Sequence, residues 1–186
     1  MTKVFALVLG VLSGLWFEAP QGYSVEDAVK VVDILVKIRD SQADADPINL
    51  RKATVSESEL NSYFAYRIDT EKEEILKELQ LKLFAGNRVE GRALVDLSGQ
   101  DIPGFLKPRM SLYFSGDILT QSGKIKVNFD SLFLETQRVQ PFIVDWIIKI
   151  AARAGGAEPS SLSDWYELPA GIKDMATERG RLFVYY

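Results

Sequence analysis

The chain has 186 residues, 47 % of them hydrophobic and 26 % charged, with a net charge of −4. That length suits one domain with a sizeable core, the composition excludes a wholly disordered chain, and the acidic balance argues against a nucleic-acid footprint. No cysteine and no histidine occurs, which excludes disulfides, thiolate and His-containing zinc sites, cysteine nucleophiles and imidazole bases.

At the amino terminus Lys3 precedes an uncharged apolar run from Val4 to Phe17, followed by Glu18 and Pro20. The run is shorter than the roughly 20 residues of a membrane span and has the layout of a secretory signal peptide, with retention as an uncleaved anchor as the alternative. Gly22-Tyr23-Ser24 offers small residues where a signal peptidase needs them. Residues 1–24 are therefore assigned to the leader and 25–186 to a single α+β domain. The expected location is exported, periplasmic or in the cell envelope, and without a cysteine no lipid can be attached at the leader.

Residues 24–42, SVEDAVKVVDILVKIRDSQ, predict a helix in which Ser24 and Asp27 resemble a capping box. Its apolar set, from Ala28 through Ile38, is wider than an ordinary surface stripe. A polar, proline-containing connection follows from Asp40 to Leu50, then a short strand at Lys52–Val55. Ser56 and Glu59 form an S-x-x-E capping box ahead of a second helix with Leu60, Tyr63, Phe64 and Ile68 on its apolar face. The charge run Asp69–Glu74 is expected to be a solvated turn.

The hydrophobic period then changes from about 3.6 residues to 2. Leu79, Leu81 and Leu83, the turn Ala85-Gly86-Asn87, and Val89, Gly91, Ala93, Val95 and Leu97 predict a hairpin. A loop with two prolines leads to a second one: Met110, Leu112, Phe114 and Ile118, a turn at Gln121–Lys124, and Ile125, Val127, Phe129 and Phe133 on the apolar row. The result is an antiparallel sheet of at least four to six strands with one apolar face. Gly91, Ala93 and Gly116 stand where large residues are expected, so the sheet should curve and receive something there, a helix being the plain candidate.

Residues 141–156 predict a third helix, with Pro141 in its first turn and Gly155 at its carboxyl-terminal cap. Asp145, Lys149 and Arg153 form its one charged stripe, with Asp145 able to pair with Lys149. A helix apolar over most of its circumference is buried on several sides. It is expected in the concavity of the sheet beside the first helix, the two forming either a dry core or the walls of a greasy cavity. The loop at 155–169 carries Trp165 and Tyr166 as a partner surface or a lid, and the tail predicts a strand through Met175, a turn at Arg179-Gly180 and a last strand at Leu182–Tyr186.

Glu59-Leu60-Asn61 at a helix start and Leu168-Pro169-Ala170-Gly171-Ile172 before a closing strand resemble segments of exported bacterial lipid-binding proteins of the LmeA type and, more broadly, of the TULIP (tubular lipid-binding) fold. The resemblance spans about Val55 to Tyr186. It implies a curved antiparallel sheet wrapped around one or two long apolar helices, acyl-chain binding and no catalysis. The loops at 40–50 and 98–108 depart from it, which leaves the length of any cavity and the position of its mouth open.

The expected function is thus binding or transfer of a lipid or other amphiphile, with no enzyme activity and no cofactor. Leu112, Phe114, Phe129, Phe133, Phe142, Trp146, Ile147 and Ile150 are the candidate lining residues, and Lys107 and Arg109 the candidate head-group contacts. A membrane surface or an envelope protein are the further partners it admits. The alternative is an envelope structural or interaction module with a dry core. No G-x-S-x-G, S-x-x-K, P-loop or G-x-G-x-x-G motif is present, and Asp96, Asp117 and Asp130 fall on the polar side of their strands.

Overall fold

A computed structural model describes residues 23–41, 50–156, 158 and 160–186. The leader up to Gly22 and most of the 40–50 connection lie outside the described residues. The chain is α+β. Helix α1 (Val25–Asp40) is followed by strand β1 (Lys52–Ser56), helix α2 (Glu57–Glu71) and strands β2 (Leu76–Leu83), β3 (Arg88–Asp96), β4 (Arg109–Gln121), β5 (Lys124–Leu134) and β6 (Gln137–Arg138). Helix α3 (Pro141–Ala154) and strands β7 (Tyr166–Glu167), β8 (Asp174–Glu178) and β9 (Arg181–Tyr185) complete it.

Five antiparallel strands in the order β2-β3-β4-β5-β6 curl into half a barrel, with β7 added to β5. Both predicted hairpins close through left-handed turn residues: φ is +77° at Gly86 and +63° at Asn87, and +51° at Ser122 and +74° at Gly123. Consecutive positive φ angles match the twist of the flanking strands. The tail does not extend this sheet. Strands β8 and β9 form a hairpin that β1 joins through β9, giving a separate three-stranded sheet. It is tied to the β2–β3 turn: Asn87 Oδ1 accepts the Thr177 N–H, the Thr177 hydroxyl donates to the Phe84 carbonyl, and the Gly180 N–H donates to the Leu83 carbonyl.

Two of the small residues in the apolar rows have a direct steric reason. A Cβ on Gly91 would lie 2.3 Å from two ring carbons of Phe114, its cross-strand neighbour, so the glycine receives that ring and not a helix. A Cβ on Gly116 would lie 2.5 Å from the Asn128 carbonyl oxygen, at the point where the β4–β5 register shifts. There Ser115 faces Ser131 and Gly116 faces Phe129, leaving Asp130 as an extra residue in β5. A one-residue bulge inverts every side chain beyond it. Leu132 and Leu134 consequently share the concave face with Phe114 and Leu112, and Phe133 pairs with Tyr113 on the other face, contrary to the simple alternation.

The helices depart from the expected pair inside the curve. Helix α2 has its full capping box, with the Ser56 side chain accepting the Glu59 N–H and the Glu59 carboxylate accepting the Ser56 N–H. It runs on through Asp69 to Glu71, so only the end of the predicted charged turn is a turn, entered through Lys72 at φ +50°. Helix α1 lies antiparallel along α2. The Tyr23 hydroxyl donates to Asp69, the Ser24 N–H donates to the Ser62 hydroxyl, and the Ser58 hydroxyl approaches Asp27. Ser24 caps α1 by accepting the Asp27 N–H, while Asp27 turns its carboxylate to Lys30, so the box is one-sided. Only Ala28, Val31 and Ile38 of α1 are buried, and Val29 and Val36 of its wide apolar arc, with Val25 ahead of it, stay exposed. Helix α3 buries Val144, Ile147, Ile148, Ile150 and Ala151 in the same core cluster as Val95, Leu97, Met110 and Leu112. No helix among the described residues is long and apolar enough to cross a membrane.

Candidate functional site

The concave sheet is not filled at the end that carries the two hairpin turns. A cavity of about 120 Å³ remains there. Its floor is the inner row of the sheet: Leu79, Leu81 and Leu83 of β2, Val89 of β3, Ile118 of β4, and Ile125, Val127 and Phe129 of β5. Helix α2 supplies one wall through Leu60 and Phe64, and the small sheet closes the end with Met175 and Leu182. Leu162 and Tyr166, from the segment after α3, complete the lining together with Lys126.

Helix α2 is held over the floor by polar contacts to the free edge of β2. The Asn61 side chain donates to the Leu81 carbonyl at 2.8 Å and accepts the Leu81 N–H at 2.7 Å, and the Glu57 carboxylate accepts the Leu83 N–H at 2.7 Å. An edge strand presents unpaired backbone groups to any partner. Here the side chains of one helix satisfy three of them and fix that helix above Leu81 and Leu83.

The segment over the cavity is also held. The Asp145 carboxylate of α3, expected to pair with Lys149, instead accepts the Leu162 N–H at 2.7 Å and the Ser161 hydroxyl at 3.0 Å. The Tyr166 hydroxyl donates to the Ser161 carbonyl, and Tyr166 pairs with Ile125 at the β5 edge. Burial pushes the Tyr166 phenol above its ordinary pKa, so the group stays a neutral donor. Of the two readings of this loop, Tyr166 follows the lid and Trp165 remains exposed. Among the described residues no buried side-chain polar atom lacks a partner, so nothing in the lining calls for a bridging water.

Of the candidate lining residues, Phe129 borders this cavity. Leu112 and Phe114 lie fully buried on the same concave face, Ile147 and Ile150 are buried in the core, Trp146 packs half-buried against it, Phe133 is on the convex face, and Phe142 is exposed. Lys107 and Arg109 are exposed beside the start of β4, at the opposite end of the sheet from the cavity. The lining residues that sequence reasoning did not select, notably Leu60, Leu162, Met175 and Leu182, come from α2, the segment after α3 and the β8–β9 hairpin, the first of these far before the others in the chain. Their hydrophobicity was visible, but their convergence is tertiary.

A second polar cluster lies on the convex face. Asp130, the bulge residue, accepts the Ser115 hydroxyl and an Arg88 guanidinium N–H, and Asp117 lies 3.7 Å from the same guanidinium. Burial opposes ionisation of Asp130, yet the Ser115 and Arg88 hydrogen bonds outweigh it and hold the carboxyl below its ordinary value of 3.8. This arrangement clamps the bulge. Among the described residues no cluster of three or more histidine, cysteine or acidic residues could hold a metal ion.

No family model matches the chain, and neither curated protein sequences nor solved structures give a match.

Proposed function

We propose that this chain is an exported, non-enzymatic binding or transfer protein for a lipid or similar amphiphile, built on a TULIP-like plan, with the apolar part of the ligand seated between the curled sheet and α2. The observation that carries the reading is the cavity: thirteen of its fifteen lining residues are apolar, and the other two are Lys126 and Tyr166. Apolar cavities of about this size stay dry and take apolar guests such as benzene at about 150 Å³. Each buried CH₂ of a guest contributes roughly 0.8 kcal/mol, so affinity needs no special polar chemistry. At about 120 Å³ the space suits the last few carbons of an acyl chain. A longer chain exceeds the space described.

The same small volume supports the second reading, an envelope interaction module whose core is merely imperfectly filled. Calorimetric titration with medium-chain fatty acids and with a single-chain phospholipid separates the two. Saturable binding that is lost in Met175→Trp, with thermal unfolding unchanged, supports the ligand reading. Ile125→Phe serves as a second cavity-filling variant. Absence of binding to every chain length tested leaves the interaction module.

A further inference from the structure

The loop of residues 97–108, which joins β3 to β4, presents an aromatic side chain outward by construction. Phe105 is 68 % exposed, the highest value among the large hydrophobic residues described, while its neighbour Leu106 is buried in the core. The Leu106 N–H donates to the Pro103 carbonyl and the Leu97 N–H to the Pro108 carbonyl, so the loop is closed at its base and at its turn. Two prolines and a buried leucine fix the segment, which lowers the entropy lost when Phe105 meets a partner. Lys107 and Arg109 follow within four residues, both exposed, and neither makes an ion pair within 4.0 Å among the described residues. The acids nearby include Asp101 in the loop, Asp96, opposite Arg109 in the ladder, and Glu135, whose carboxylate accepts the Ser111 N–H. Asp96 is engaged chiefly by Ser98, whose hydrogen bonds are the main reason its carboxyl is held below the ordinary value, with the charge of Arg109 a smaller contribution that stops short of an ion pair.

We propose that this loop docks the protein on an anionic lipid surface, with Phe105 entering the interface and Lys107 and Arg109 meeting head-group phosphates. An isolated exposed phenylalanine would need no explanation. Here a constrained aromatic tip is combined with two adjacent cations on a chain whose net charge is −4, and an amphiphilic side chain pattern of that kind fits the boundary between head groups and acyl chains. The cations remain head-group contacts, but for a bilayer and not for the ligand of a cavity at the far end of the sheet. The proposal does not depend on the cavity being occupied.

Because the chain has no cysteine, one label can be placed at will. Gly104→Cys is suitable, since a Cβ there meets nothing within 4 Å, and Ser122→Cys in the β4–β5 turn is the control at the opposite end. Each full-length variant, carrying an environment-sensitive fluorophore, is mixed with phosphatidylcholine vesicles containing or lacking phosphatidylglycerol. The label at 104 should shift to shorter wavelength with the anionic vesicles and the label at 122 should not, whatever residues 1–22 contribute to binding. Phe105→Ser should weaken the response roughly tenfold, as expected for part of an aromatic side chain's burial. Lys107→Ala and Arg109→Ala should each weaken it roughly fivefold at low salt. The proposal is overturned if the 104 label stays aqueous with anionic vesicles, if both labels respond alike, or if neither Phe105→Ser nor removal of the cations changes the response.

Discussion

Gly91 lies beneath the Phe114 ring with no room for another atom: its hypothetical Cβ would also sit 2.8 Å from the Gln80 carbonyl oxygen. Gly91→Ala should therefore cost about 1–3 kcal/mol, the range for overpacking a filled core. Thermal unfolding would show it, and adding Phe114→Leu should recover part of the loss because the offending ring atoms are removed. Simple additivity of the two changes would contradict the steric account. Asp130 gives a pH-dependent counterpart. Its carboxyl is held below 3.8, so its stabilisation is complete above that value and disappears as pH falls through the lower folded-state value. The group is half exposed, so the effect stays under about 1 kcal/mol. Asp130→Asn should be slightly less stable at neutral pH and should converge with the parent chain in acid unfolding below 3.8; a constant gap across that range would mean the clamp does not act through charge.

At the scale of elements, the sequence made three helices and two hairpins legible because capping residues, turn glycines and a clean change of period mark them. What it could not convey was interruption and docking. The row Ile125, Val127, Phe129, Phe133 reads as one face, but the extra residue at Asp130 moves Phe133 to the other. Similarly, the wide apolar arc of α1 suggested a helix buried inside the curve, whereas the helix lies along α2 and leaves three of its valines in solvent. The Glu59-Leu60-Asn61 segment was noticed as a pattern; its physical role is that Leu60 faces the cavity and Asn61 pairs with both backbone groups of Leu81. Asn61→Ala should leave those two groups without partners at a cost of about 1–3 kcal/mol each at most, reduced where water reaches the edge. Hydrogen exchange should then show the Leu81 and Leu83 amides losing protection before the β3–β4 ladder. Uniform loss across the sheet would indicate that α2 is not anchored through this edge.

For the whole molecule, the half-barrel, α2, the small tail sheet and the Leu162–Tyr166 segment each cover one side of a space that none of them fills. The candidate lining chosen from sequence was divided between β4–β5 and α3, yet the burial of α3 serves the core, and the cavity is bordered by α2, β2 to β5, the Leu162–Tyr166 segment and the small tail sheet. Apolar side chains announce that they will be buried, but not against what. The most direct measurement is native mass spectrometry with organic extraction on gently purified full-length protein, alongside Met175→Trp. The account predicts one amphiphile bound per parent chain and an empty variant that unfolds at the same temperature as the delipidated parent, the loaded parent unfolding higher. A parent protein that is empty as isolated, and that stays so after incubation with fatty acids and phospholipids, would contradict it.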